Sequence, residues 1–74
     1  MKVTIYGKPG CTYCKQAVKA CELRGVEFEY LDLEAGDYTL EELQNKVPGP
    51  VRTLPQTFVD GKWVGGFTEL AKVI

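Results

Sequence analysis

The sequence has no histidine. That absence removes Cys-His and Ser-His catalysis, histidine general bases and any zinc site that needs an imidazole. Long apolar runs are missing too. The longest holds two residues, as in Ile5-Tyr6 or Val73-Ile74, whereas a membrane span needs roughly 20 and a secretory signal an apolar stretch of roughly 7 to 15. The chain opens directly into MKVTIYGK, so a soluble, cytoplasmic protein without a leader is expected. Neither sign of charge is in excess: nine Lys and Arg against ten Asp and Glu leave −1, which argues against a nucleic-acid or membrane-surface binder. Length is scarce as well. The 74 residues suffice for one small domain, residues 1–74, which buries only roughly 60% of its unfolded surface. Any active site must therefore be built from backbone and a few side chains. Repeats, low-complexity tracts and linkers are absent.

What is present reads as strands and helices in alternation. Lys2 to Tyr6 is β-branched or aromatic after its first residue and ends at the breaker cluster Gly7-Lys8-Pro9-Gly10, which predicts a strand. From Thr12 to about Arg24, Cys14, Ala17, Val18 and Cys21 recur at helical spacing, and Gly25 supplies a stop. Val26 to Leu33 alternates again, with apolar residues on both faces, as suits a strand covered on both sides. Thr39 is the expected N-cap of a second helix with Leu40, Leu43 and Val47 on its apolar edge, ending at Pro48-Gly49-Pro50. Thr57–Val59 and Lys62–Val64 flank Asp60-Gly61, the signature of a type I′ hairpin. Beyond Gly65-Gly66, the residues Phe67, Leu70, Ala71 and Ile74 share one face of a short closing helix. The order is βαβαββα, a parallel βαβ unit followed by an antiparallel hairpin.

Charge is unevenly spread along this order. Residues 1–24 carry five basic and one acidic side chain, residues 25–45 seven acidic and none basic, and residues 46–74 four basic and two acidic. The acidic stretch is most simply a solvated side of the second strand and helix. The basic first third contains Cys11-Thr12-Tyr13-Cys14. A lone Cys-x-x-Cys can be half of a zinc site, but tetrahedral zinc needs four ligands and the chain has three cysteines and no histidine. No metal is expected. The motif follows a strand and opens a helix, so Cys11 falls where unpaired N–H groups and the helix dipole favour a thiolate, with Lys8 adding positive charge. Cys14, one turn later, is close enough to close a disulfide. Cys11 is accordingly the expected attacking sulfur and Cys14 the resolving one. Cys21 lies two turns further along the same stripe, too far for a disulfide, and reads as a small core side chain.

Two turns complete the inventory. In Arg52-Thr53-Leu54-Pro55-Gln56 a proline precedes a strand, where it either starts an edge strand or follows a cis bond. A cis Leu54-Pro55 bond would offer backbone groups of Leu54 to an extended peptide. In Gly65-Gly66-Phe67-Thr68 two glycines let backbone N–H groups approach a carboxylate, with Thr68 as a candidate cap, although taken alone the pattern is better explained by an ordinary strand-to-helix turn.

KPGCTYC, A-x-x-x-C-x-x-x-G-V-x-F, RTLPQTFVDGKWVGGF and the closing helix, in that order over nearly the whole chain, resemble a glutaredoxin. The resemblance implies a thioredoxin-like α/β fold, a four-stranded mixed sheet (βαβαββα) with helices on both faces, and makes Pro55 a cis-proline beside the active site. It implies a glutathione-dependent disulfide oxidoreductase, with Cys11 and Cys14 catalytic and no metal. Lys8, Tyr13, Arg52, Thr53, Leu54, Pro55, Gly66, Phe67 and Thr68 would form the glutathione groove. Leu54 would pair its backbone with the glutathione cysteine, and the Gly66–Thr68 turn would hold the γ-glutamyl carboxylate. Glutathione and disulfide-bearing proteins, ribonucleotide reductase among them, are the implied partners of a monomer. Three departures stand out: Thr12 for the common proline, Thr68-Glu69 for the usual acidic or serine-acidic pair, and a short last helix. The lost proline keeps open an iron–sulfur cluster bridged between protomers by Cys11 and glutathione. The neighbourhood of Trp63 and Gly66-Phe67 is also similar to that of glutaredoxin-like redoxins reduced by thioredoxin reductase that feed ribonucleotide reductase, although their motif has glutamine where this chain has Tyr13.

Overall fold

In the computed structural model, which describes residues 1–74, the chain runs β1 (Lys2–Gly7), α1 (Thr12–Arg24), β2 (Glu27–Asp32), α2 (Leu40–Gln44), β3 (Gln56–Val59), β4 (Lys62–Gly65) and α3 (Phe67–Val73). The strands form one sheet in the order β2-β1-β3-β4. β1 and β2 are parallel, from Lys2 opposite Glu27 to Gly7 opposite Asp32, and the other two pairings are antiparallel. This is the mixed thioredoxin-like sheet that the resemblance implies.

Strand alternation divides the core in two, because successive side chains of β1 point to opposite faces. Val3 and Ile5 face α1 and α3 and pack with Ala17, Cys21 and Leu70. Tyr6 points the other way and packs with Phe58, Tyr38, Leu43 and Val47. Ile5, Leu43 and Leu70 are fully buried, each contributing roughly 1.5–3 kcal/mol of apolar transfer. No helix is long and apolar enough to cross a membrane.

The first helix follows its sequence pattern. Cys14, Ala17 and Cys21 are its buried residues, and Gly25 in a left-handed conformation (φ 67°) closes it with its N–H directed to Cys21 O and Glu22 O. Asp60 and Gly61 both have positive φ, 51° and 83°, the backbone that a two-residue type I′ turn requires.

β2 lies at the edge of the sheet, and its half-buried apolar residues pack on both faces, Phe28 and Tyr30 against the cluster of Val3 and Ile5 and Leu31 against that of Tyr6. One expectation needs correction. The second helix does not continue to Pro48 but ends at Gln44, and Leu40 on its expected apolar edge is exposed. Beyond Gln44 the chain tightens to i→i+3 bonds, Lys46 N–H to Leu43 O (2.9 Å) and Val47 N–H to Gln44 O (3.4 Å). That tighter turn still delivers Val47 to the core. The Gln44 side chain holds the loop that follows, donating to Gly49 O (2.6 Å) and accepting from Val51 N–H (2.7 Å).

Candidate active site

Cys11 is the N-cap of α1, with extended backbone (φ −94°, ψ 111°), and its sulfur accepts the N–H of Cys14 at 3.2 Å. A residue in that place sees the unpaired donors of the first turn and the positive end of the helix dipole. Both effects favour a negative sulfur. Cys14 lies one turn on, 5.2 Å away between α-carbons, and the two sulfurs are joined in a disulfide. Their surroundings differ. Cys11 is half-buried, whereas Cys14 is 0% exposed, so only the first sulfur is open to a substrate.

The second wall comes from the segment before β3. The Leu54-Pro55 bond is cis, and the carbonyl oxygen of Leu54 is 3.5 Å from Cys11 Sγ. A disulfide sulfur carries no proton, so this is a contact here, and a donor–acceptor pair becomes available once Cys11 is a thiol. Gln56 anchors the segment: its side chain donates to Thr53 O (2.9 Å) and accepts from the Trp63 indole N–H (2.8 Å).

The third wall is the β4–α3 turn. Thr68, the candidate cap, does not cap α3; Gly66 is the N-cap and makes no side-chain cap bond. Instead the Glu69 carboxylate reaches back to accept the Gly66 N–H at 2.8 Å, half of a capping box, since glycine has no side chain to return the bond. Gly65 makes room for this: a Cβ there would lie 2.9 Å from Glu69 Oε1. The Gly66 N–H is thus occupied, and the donors left open at this end are those of the first helical turn.

These walls enclose a groove of about 240 Å³ lined by Tyr13, Thr53, Leu54, Pro55, Gly66, Phe67, Thr68 and Glu69. Tyr13 and Phe67 stack at one side, with centroids 6.1 Å apart and planes at 25°. Lys8 and Arg52 do not line this groove. They line an adjoining one of about 200 Å³ together with Thr53 and Leu54, which belong to both. The nine residues expected around glutathione are thus divided between two hollows that share Thr53 and Leu54, with both cations on the second. The largest hollow, about 470 Å³ between Thr4, Tyr6, Lys46, Phe58 and Gly61, lies on the α2 side of the sheet and touches neither redox cysteine.

Sequence reasoning left two neighbours of the site unassigned. In the sequence Glu69 stands out only as a departure, though its spacing three residues after Gly66 is the mark of a reach-back cap. Tyr38 lies in the acidic stretch, where no periodicity marks it. It is 4% exposed and donates to Gly7 O at 2.9 Å, bracing the strand end from which the Cys11 loop departs. Burial foremost, then Tyr30, Asp32 and Tyr6, push its hydroxyl up to about 12. Cys21 sits in the core, where burial, reinforced by the Glu22 carboxylate, pushes its thiol up.

The family model described as Glutaredoxin matches residues 3–64. Glutaredoxin 1 of Escherichia coli is 40% identical over 76 residues, spanning 96% of this chain and 89% of that protein. Among solved structures, reduced E. coli glutaredoxin is similar with a TM-score of 0.76 and 39% identity, over 97% of this chain and 91% of the other. A buckwheat glutaredoxin–glutathione complex is similar with a TM-score of 0.75 and 26% identity, over 90% of this chain and 62% of the other.

Proposed function

The chain belongs to the glutaredoxin family, and from that premise we propose that Cys11 attacks and Cys14 resolves in a dithiol cycle. The activity is glutathione-dependent thiol–disulfide exchange. On a glutathione mixed disulfide, the Cys11 thiolate bonds to the glutathione sulfur, and the electron pair of the broken bond leaves on the client sulfur, which takes a proton from water. A second glutathione thiolate then attacks the bound glutathione sulfur, releasing oxidised glutathione and the Cys11 thiolate. On a protein disulfide, Cys11 attacks one client sulfur. Cys14 then attacks Cys11, so that the client departs as a dithiol and the Cys11–Cys14 disulfide remains for two glutathione molecules to reduce. The observation that carries this assignment is the half-buried Cys11 sulfur at the start of α1, accepting the Cys14 N–H.

The two hollows support a glutathione site. Leu54 belongs to both and its carbonyl adjoins the attacking sulfur, so a backbone pairing with the glutathione cysteine would set the thiol beside Cys11. Lys8 and Arg52 in one hollow suit one carboxylate, and the open first-turn donors near Phe67 and Thr68 suit the other. In this reading the protein works as a monomer in the reducing cytoplasm, with ribonucleotide reductase among its clients.

The test is which reductant it accepts. Turnover is expected with glutathione and glutathione reductase, and Arg52→Glu should raise the apparent KM for glutathione by about five- to thirty-fold, the scale of one exposed ion pair lost and a repulsion gained. Arg52 is exposed, so the fold should be intact. Ready turnover with thioredoxin reductase, inertness to glutathione and indifference to Arg52→Glu would instead establish a thioredoxin-reductase-dependent redoxin.

A further inference from the structure

Reduction of the Cys11–Cys14 disulfide sends an electron pair to a sulfur that water does not reach. When a glutathione thiolate bonds to Cys11 Sγ, the Cys11–Cys14 bond breaks and Cys14 leaves as a thiolate. Cys14 is 0% exposed, and its own N–H is directed to Cys11 Sγ. A thiolate desolvated without a hydrogen-bond donor is a high-energy leaving group, and a leaving thiol of high pKa departs slowly.

Behind Cys14 lies a recess of about 320 Å³ that shares no residue with the 240 Å³ groove; its walls include Lys8, Cys14, Lys15, Val18, Tyr30 and Asp32. One neutral donor in it lies near the sulfur. A Cβ built on Gly7 would lie 2.7 Å from Tyr30 Oη and 3.0 Å from Cys14 Sγ, so hydroxyl and sulfur converge on the same point above the Gly7 α-carbon. Only a residue without a side chain lets them do so.

Resting on the assignment of Cys14 as resolving cysteine, we propose that the Tyr30 hydroxyl is the hydrogen-bond donor that receives the Cys14 thiolate as it leaves. In the disulfide state the hydroxyl donates to Lys8 O at 3.3 Å, a bond at the long end of the range and easily exchanged for a charged acceptor. Freed from Cys11, the Cys14 sulfur can turn towards it. Burial foremost, with help from the Asp32 carboxylate, pushes the Tyr30 hydroxyl up. Tyr30 thus keeps its proton past the pH at which a free tyrosine would lose it and acts as a donor, and the thiolate takes its final proton from water once the turned sulfur meets the recess. The other groups facing the recess serve less well. Asp32 as a carboxylate has nothing to donate, and the Lys8 and Lys15 side chains are exposed, with solvated ammonium groups.

The experiment uses Tyr30→Phe, which keeps the ring and removes the donor. Single-turnover reduction of the oxidised protein by glutathione should slow by about three- to ten-fold, the scale of one hydrogen bond to a charged acceptor. In Cys11→Ser, where Cys14 thiolate absorbance can be followed against pH, adding Tyr30→Phe should move the midpoint upwards. In Cys14→Ser, exchange on a glutathione mixed disulfide should be unaffected by Tyr30→Phe, because no resolving thiolate forms. An unchanged rate and midpoint overturn the role, as does equal slowing in the Cys14→Ser background, which would mean a merely structural tyrosine. A midpoint raised by Lys15→Gln but not by Tyr30→Phe overturns it too. Wild-type protein inert to glutathione removes the function and this role together, a result distinct from a glutathione-active enzyme indifferent to Tyr30→Phe.

Discussion

Two residues separate Cys11 from Cys14, and one turn of helix gives them opposite environments. The Cys11 sulfur sits at the cap, with a backbone N–H on it and the Leu54 carbonyl beside it; Cys14 is enclosed. Cys11→Ser is therefore expected to abolish all exchange, whereas Cys14→Ser should keep activity on small glutathione mixed disulfides and lose it on protein disulfides. Comparable losses for both variants on the small substrate would reverse the assignment. In Cys14→Ser/Cys21→Ser the remaining thiol should titrate below the roughly 8.5 of a free cysteine, since the helix start favours its charged form. Thiolate absorbance against pH reads the midpoint directly, and a value at or above the free one would contradict the cap geometry.

At the scale of elements, the small helix α2 shows how little local stability the fold contains. Five residues cannot form a helix in isolation, and this one is held by its cap and by burial of Leu43. Thr39 Oγ1 accepts the Glu42 N–H at 3.1 Å, and acidic Glu41 and Glu42 occupy the first turn. Thr39→Ala should cost about 1 kcal/mol, seen as a lower urea midpoint with an unchanged slope. Leu40 of α2 lines the hollow of Lys8 and Arg52 but Thr39 does not, so glutathione turnover by the folded variant should stay close to wild type. An unaltered midpoint would mean that packing of Leu43 alone holds the segment.

For the molecule as a whole, pH couples the α2-side core to stability. Tyr38 is an acid whose folded-state value, about 12, lies above the roughly 10 of an unfolded tyrosine. Between those values the unfolded chain has released a proton that the folded chain keeps, so stability is intact below about pH 10 and falls as pH rises through about 12, by an amount on the order of 2 kcal/mol. Tyr38→Phe should flatten this alkaline limb. Its neutral-pH cost should stay near 1 kcal/mol, because Gly7 O keeps the Leu33 N–H at 3.0 Å. Urea denaturation at several pH values checks both, and parallel curves for the two proteins would place the alkaline sensitivity elsewhere.

Local chemistry determined much of this protein without tertiary help. The β-branched run of β1, the helical stripe Cys14-Ala17-Cys21, the Asp60-Gly61 turn and the cysteine pair after a Pro-Gly break each specify a conformation within a few residues. The order βαβαββα was legible for the same reason, and the glutaredoxin resemblance that those motifs carry singled out nine residues that line the two hollows beside Leu54. Tertiary structure decided what depends on distant segments meeting. Periodicity records which face of a strand is apolar, not which strand lies beside it, so the edge position of β2 emerged only with the order β2-β1-β3-β4. Tyr38, in a run of acids, became core because β1 presents Tyr6 to it, with ring centroids 5.0 Å apart. Tyr30 and Gly7 show the same limit. They lie 23 positions apart in the sequence, and only the pairing of β1 with β2 brings that hydroxyl across a glycine to the buried sulfur of Cys14.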